Sequence, residues 1–347
     1  MSIRTVIVCE AQVPFVKGGA EFMVRELVRT LGEHGYRAER VSVPFKWYPK
    51  EEILAHAAAW RLLDLSESTG LPIDLVIATK FPTYFVRHPH KVTWLMHQYR
   101  AAYELCGTEY SDFEDTERDV GLRQRIFDLD GQMLAESRRL FAISRNIAAR
   151  LAKFNQMVAE PLYHPPRLAA RLRPGPFGDY VFMVARLESV KRVDLAVRAM
   201  ARVDRPIRLV VAGEGTHRAH VERVAEELGL SDRVTLLGTI DDEVILELYA
   251  GALAVVYTPF DEDYGYVTLE GFLSHKPVVT ATDSGGPLEF VVDGENGLVT
   301  APEPDAVASA INALAADRAR AASLGAAGFE CARRITWDGV IDRLVGR

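Results

Sequence analysis

The chain is poor in several features that would assign it quickly. It has only three cysteines in 347 residues, at Cys9, Cys106 and Cys331. The number is odd and no two stand at ligand spacing, so neither a disulfide framework nor a structural zinc site is expected, and a reducing cytoplasm fits. No stretch approaches the roughly 20 uncharged apolar residues of a membrane-spanning helix. Excess positive charge is lacking too: the formal net charge is -7, which argues against nucleic acid as the main partner. The first loop has no G-x-G-x-x-G, and no acidic residue stands convincingly after the second strand, so a dinucleotide-dependent dehydrogenase is disfavoured. No obvious Asp-x-Asp metal pair stands in a suitable loop; Asp261-Glu262-Asp263 is acidic enough, but Glu262 has a better role there. Low complexity and short internal repeats are absent, and with 48% hydrophobic and 26% charged residues the chain is a folded globular protein long enough for two domains.

What remains is an alternation of short β-branched runs with amphipathic stretches. Residues 3–9 (IRTVIVC) read as a buried first strand and not as a signal peptide. Val24, Leu27, Val28 and Leu31 recur at helical spacing, and Gly35 is placed to end that helix. Further strands are expected at 38–43, 74–78, 92–96 and 140–143, with helices at 51–65 and 127–138. Residues 107–125, crowded with Glu, Asp and Arg, read as a mobile surface loop or a frayed helix start. Residues 161–178 hold five prolines and two glycines, poor ground for a regular element and the natural domain boundary and hinge. The pattern then restarts, with strands near 180–185, 207–212, 233–237, 253–257 and 277–281 and helices between them. Alternating strands and helices predict an α/β architecture of parallel sheets covered on both faces.

In such sheets ligands bind beyond the carboxyl ends of the strands. Four loops there suit a phosphorylated ligand. Lys17-Gly18-Gly19-Ala20 precedes a helix, where backbone N–H groups favour an anion, though paired glycines also simply make a turn. YVFMVARLESVKRVD (180–194) delivers Arg186 and Lys191 together at a strand exit, as a diphosphate needs, or as a solvated basic turn. In Pro259–Glu270, Glu262 and Glu270 bracket Gly265, which permits a tight helix entry. The amides of Tyr266, Val267 and Thr268 would then face a phosphate, with a carboxylate one turn on for ribose hydroxyls; acidic residues in a first turn are equally ordinary caps. Ser284–Glu289 with Asp293-Gly294 and Asn296-Gly297 is mostly turn chemistry. His97 directly follows the strand VTWLM, at a strand exit of the first domain.

Taken together and in order, the Gly18-Gly19 loop, VARLESVKRVD at 184–194, VVAGEG at 210–215, Glu262-x7-Glu270, GGPLEFVVDGENGLV at 285–299 and a terminal helix entered near Trp337 resemble the retaining GT-B nucleotide-sugar glycosyltransferases of family 4. The resemblance covers nearly the whole chain and is strongest from about 180 to 300. It implies two Rossmann-like domains facing across a cleft: an acceptor-side domain at 1–165, a donor domain at 166–320, and a last helix within 321–347 crossing back. It implies that Arg186 and Lys191 hold the donor diphosphate and that Glu270 binds the ribose. It implies that Glu262, Tyr264, Gly265, Tyr266, Val267 and Thr268 line the sugar and phosphates, with Gly18, Gly19 and Gly238 close by and His97 facing the transferred sugar. His97, Glu262, Arg186 and Lys191 are thus the catalytic candidates, with no metal and no cofactor. The expected partners are a nucleotide-diphosphate sugar and a hydroxyl acceptor, whether saccharide, lipid-linked saccharide or small molecule. A GT-B nucleotide-sugar epimerase and a non-catalytic nucleotide-sugar-binding protein stay open as alternatives. So does peripheral contact with the inner membrane face, since Arg145, Arg150, Lys153, Arg167, Arg171 and Arg173 crowd the end of the first domain and the linker, as a docking cluster or a solvated face.

Overall fold

The computed structural model describes residues 3–15 and 18–346. The chain divides into two compact units, one of residues 1–167 and 336–347 and one of residues 168–335.

The first unit is built on β1 (Thr5–Gln12), α1 (Gly19–Glu33), β2 (Arg37–Pro44), α2 (Ile53–Leu62), a small hairpin of β3 (Glu67–Ser68) and β4 (Leu71–Pro72), β5 (Leu75–Ala78), β6 (Lys91–Leu95), α3 (Glu117–Ala135), β7 (Arg139–Ala142), α4 (Arg145–Asn155) and β8 (Glu160–Pro161). Its main sheet runs β2-β1-β5-β6-β7-β8, and every pairing is parallel. β5 and β6 are buried along their whole length, as strands covered on both faces must be. α1 turns Met23, Val24, Leu27 and Leu31 inward, and the chain leaves it through Gly35 at φ 84°, a left-handed conformation that glycine adopts without a Cβ penalty.

β1 runs further than expected, through Glu10 to Gln12. The Glu10 carboxylate is buried but meets the Arg40 guanidinium at 3.2 Å, so the charge does not end the strand. The 107–125 segment is also corrected. It is no frayed start: α3 begins at Glu117, ten residues before the expected helix, because its charges have partners. Thr116 Oγ1 accepts the Asp119 N–H at 3.2 Å. The Asp119 carboxylate in turn accepts the Glu114 N–H at 2.9 Å and the Lys50 ammonium at 2.6 Å. These backbone and ammonium donors hold the Asp119 carboxyl below the ordinary range.

The second unit contains β9 (Tyr180–Val184), α5 (Val193–Ala199), β10 (Arg208–Ala212), α6 (Arg218–Glu227), β11 (Val234–Leu236), α7 (Asp242–Gly251), β12 (Ala254–Val256), α8 (Tyr266–Leu273), β13 (Val278–Ala281), β14 (Gly297–Thr300), α9 (Pro304–Ala316) and α10 (Arg318–Ala332). The sheet is parallel in the order β11-β10-β9-β12-β13-β14, a doubly wound arrangement. Its apolar core joins the strands to α5, α6 and α9. α8 lies directly on the sheet, and Gly271 allows this: a Cβ there would stand 3.0 Å from a Val255 methyl. The stretch 321–347, expected to carry one last helix, holds the end of α10 and a further helix. It breaks at Arg333–Thr336, and α11 (Trp337–Val345) belongs to the first unit, burying Val340, Ile341 and Leu344.

Candidate functional site

In the second unit the strand order reverses between β9 and β12, so the loops leaving these neighbours diverge and open a crevice at the carboxyl edge of the sheet. Those two loops carry Arg186, Lys191, Glu262 and Gly265. The structure ties them together. The Lys191 ammonium is hydrogen-bonded to the Glu262 carboxylate, and the same Oε2 accepts the Tyr257 hydroxyl at 2.9 Å. Burial, with the Glu262 charge beside it, pushes the Tyr257 phenol well above its ordinary range, so it is a fixed donor. Arg186 points outward and makes no side-chain hydrogen bond or ion pair among the described residues. A guanidinium with five donors therefore remains available at the strand exit.

The loop backbone is held with equal care. The Phe260 N–H bonds the Val190 carbonyl at 2.8 Å, the Asp261 N–H bonds the Asp283 carbonyl at 2.9 Å, and the Glu262 N–H bonds the Ser284 carbonyl at 2.9 Å. Glu262 returns its own carbonyl to the Gly286 N–H at 2.7 Å. Arg192 clamps the set: Nε reaches the Thr258 carbonyl at 2.9 Å, Nη2 reaches the Pro259 carbonyl at 2.7 Å, and the fork grips both Asp283 oxygens at 2.6 and 2.7 Å. Sequence reasoning passed over Arg192, Asp283 and Tyr257. The one available signal was a tyrosine in the otherwise apolar run AVVYTPF.

Gly265 sits at φ 85° as the N-cap of α8 and offers no side chain to the first N–H groups of that helix. The helix start thus presents backbone donors and the positive end of its dipole. Glu270, one turn on, accepts the Tyr249 hydroxyl at 2.6 Å, and Tyr249 is itself packed edge-on against Phe182 at 4.9 Å. Val267 and Thr268 are buried. The Tyr264 ring is buried against Phe290, with centroids 5.5 Å apart, while Tyr266 is half-buried. Gly238, at φ 71°, accepts the Gly213 N–H on its carbonyl oxygen at 2.8 Å, closing the neighbouring β10 and β11 exits.

In the first unit, the order reverses between β1 and β5. Gly18 caps α1, and its N–H bonds the Glu21 carboxylate at 2.9 Å. The other Glu21 oxygen holds the Lys80 ammonium at 2.9 Å, so the Gly18-Gly19 turn is pinned to the β5 exit. Lys17 lies outside the described residues. His97 stands just beyond β6, and its Nδ1 meets the Gln98 carbonyl at 2.7 Å. The residues of the basic cluster have different surroundings. Arg150 is buried on Glu104 at 3.1 Å, Arg171 and Arg173 pair with Glu243 and Glu247, and Arg167 lies over the Phe22 ring. Arg145 and Lys153 are exposed. No described helix is long and apolar enough to cross a membrane, and no group of three His, Cys, Asp or Glu with metal-holding geometry occurs among the described residues.

Residues 176–330 match the family model of glycosyl transferases group 1. The chain is 32% identical over 241 residues to the D-inositol 3-phosphate glycosyltransferase of Mycolicibacterium paratuberculosis, covering 66% of this chain and 54% of that protein. It is 37% identical over 109 residues to the alpha-1,3/1,6-mannosyltransferase ALG2 of Dictyostelium discoideum, covering 31% and 26%. The chain thus spans about half the length of the D-inositol 3-phosphate glycosyltransferases it matches. Among solved structures, the sucrose-phosphate synthase of Thermosynechococcus elongatus superposes with a TM-score of 0.78 at 20% identity, over 98% of this chain and 97% of that one. Anabaena HepE, in complex with UDP and glucose, does so with a TM-score of 0.70 at 18% identity, over 97% of each. At such identities the likeness shows the fold, which is GT-B, with two Rossmann-like units.

Proposed function

From the match of residues 176–330 to the family model of glycosyl transferases group 1, we propose that this protein is a retaining glycosyltransferase that moves a sugar from a nucleoside-diphosphate sugar to an acceptor hydroxyl without a metal. The observation that carries the reading is the Lys191–Glu262 pair beside the α8 start at one strand-edge crevice, with the exposed Arg186 on the loop that also carries Lys191. As the sugar–phosphate bond stretches, charge gathers on the leaving diphosphate. Prepositioned cations and amides aimed at that charge are usually the largest catalytic contribution. Here Lys191, Arg186 and the amides after Gly265 supply it, so no metal ion is needed as counter-charge. Glu262, fixed by Tyr257 and Lys191, faces the donor, and Glu270, fixed by Tyr249, takes the ribose hydroxyls. His97 and the Gly18-Gly19 turn are the candidates that the first unit contributes.

Retention is read as front-face substitution, in which the leaving phosphate deprotonates the acceptor, because the sequence names no convincing carboxylate nucleophile for double displacement. The complex of HepE with UDP and glucose makes uridine diphosphate sugars the first donors to try; the acceptor is read from the sequence resemblance as a saccharide, lipid-linked saccharide or small molecule.

The test is acceptor-dependent nucleoside diphosphate release from UDP-, GDP-, dTDP- and ADP-sugars in EDTA, with the product's anomeric proton read by NMR. Turnover of one donor with retained configuration is expected, and Lys191→Ala and Glu270→Ala should each slow it at least tenfold, about 1.4 kcal/mol of barrier. Return of an epimerised nucleotide sugar without acceptor, or binding with no turnover of any donor, overturns the proposal.

A further inference from the structure

A chain of buried and half-buried polar side chains behind His97 in the first unit is given no role by the site described above. It begins at His97. A carbonyl oxygen only accepts, so the 2.7 Å contact of His97 Nδ1 with the Gln98 carbonyl places the proton on Nδ1 and makes Nε2 the acceptor of the neutral ring. The direction of that carbonyl depends on the Gln98 peptide, and the Gln98 side chain is almost completely buried. Its amide donates to Asn155 Oδ1 at 2.9 Å. Asn155, the last residue of α4, donates from Nδ2 to the Tyr103 hydroxyl at 3.3 Å. Tyr103 donates to Asp130 Oδ2 at 2.7 Å, in the middle of α3. The Tyr103 ring is wedged between Phe127 and Phe154, at centroid distances of 4.3 and 5.3 Å.

A glutamine, an asparagine, a tyrosine and an aspartate inside one apolar unit are costly to bury unless they form a satisfied, directional network. This network donates in one direction, from Gln98 to Asp130, and starts at the residue whose peptide orients a strand-exit histidine.

We propose that Gln98, Asn155 and Tyr103, anchored on Asp130, are positioning residues that fix the His97 ring with its Nδ1–H on the Gln98 carbonyl and Nε2 presented as acceptor. The proposal rests on the reading of His97 as part of a glycosyl-transfer site, and its test separates the two. Gln98→Met keeps the length and removes the amide; Tyr103→Phe removes one oxygen and keeps the ring packing. In the protein labelled with 15N-histidine, with the His97 signal assigned by His97→Gln, the wild type shows a single Nδ1–H tautomer. Both variants should show a tautomer mixture, kcat with the active donor about tenfold lower, and a nucleoside diphosphate Kd within twofold of wild type. A single Nδ1–H tautomer persisting in both variants overturns the proposal, as does a lost signature with kcat within twofold of wild type. If the wild type transfers no sugar, the proposed function falls and the tautomer signature alone judges the positioning chain.

Discussion

Replacing Arg192 by Met keeps the aliphatic stem and removes the guanidinium that joins three loops. The structure shows what is lost: hydrogen bonds to the Thr258 and Pro259 carbonyls and the paired contacts to Asp283. Hydrogen bonds involving a charge are worth about 1.5–3 kcal/mol where buried. Arg192 is mostly buried, but the Asp283 side chain retains 33% exposure, so solvent recovers part of the loss and the ion pair is discounted. The expected cost is about 3 kcal/mol, which for a unit of this size lowers Tm by roughly 6–12 °C. Glu262 hangs from the same loop, so nucleoside diphosphate affinity should weaken at least tenfold. Arg192→Lys restores one charge without the fork and should fall between the two. Differential scanning calorimetry and titration calorimetry on the same preparations read both effects. A Tm within 2 °C of wild type refutes the clamp, and a lowered Tm with unchanged affinity refutes its role in presenting Glu262.

Asp130 is fully buried and burial raises its carboxyl to about 7, with the hydroxyls of Tyr103 and Tyr84 pulling the other way. A raised carboxyl pKa means the folded state keeps its proton while the unfolded state loses it, so stability is full below about pH 4 and is lost as pH rises towards 7. Asp130→Asn should therefore gain on wild type by a few kcal/mol between pH 4 and pH 8 in urea titrations, and a pH-independent difference would sink this account. Gly213→Ala places a Cβ 1.9 Å from the Ala185 carbonyl oxygen at φ 130°, whereas Gly294→Ala, at φ 72°, meets nothing within 4 Å. The first should cost at least ~3 kcal/mol and the second about 1 kcal/mol by thermal unfolding; equal losses contradict the close packing of the β9 and β10 exits.

The fold was legible because the runs that become β5, β6, β12 and β13 are short, β-branched and apolar on both faces, and because the stretches between them carry helical spacing. Errors fell where partners distant in sequence decide the outcome. Glu10 looked like the end of a strand until Arg40 paired it, and the acidic lead into α3 looked loose until Lys50 met Asp119. Of the candidate site, Lys191, Glu262 and Gly265 were visible as residue types at loop positions, and the structure brings Lys191 onto Glu262. Arg192 was hidden because it reads as one more cation beside Lys191; only its reach to Asp283, 91 residues away, separates a clamp from a solvated charge. Tyr249 and Tyr257 were hidden because each lies in an apolar stretch that reads as core. For the basic cluster, proximity in sequence said nothing of the partners Glu104, Glu243 and Glu247.

The most direct test of the central claim is titration calorimetry of the intact protein with UDP, GDP, dTDP and ADP, repeated on Lys191→Ala and Arg186→Ala. The account predicts binding of one nucleoside diphosphate in EDTA, weakened at least tenfold by each substitution. Binding that both variants retain undiminished, or no binding of any of the four, would contradict a diphosphate site at the β9 and β12 exits.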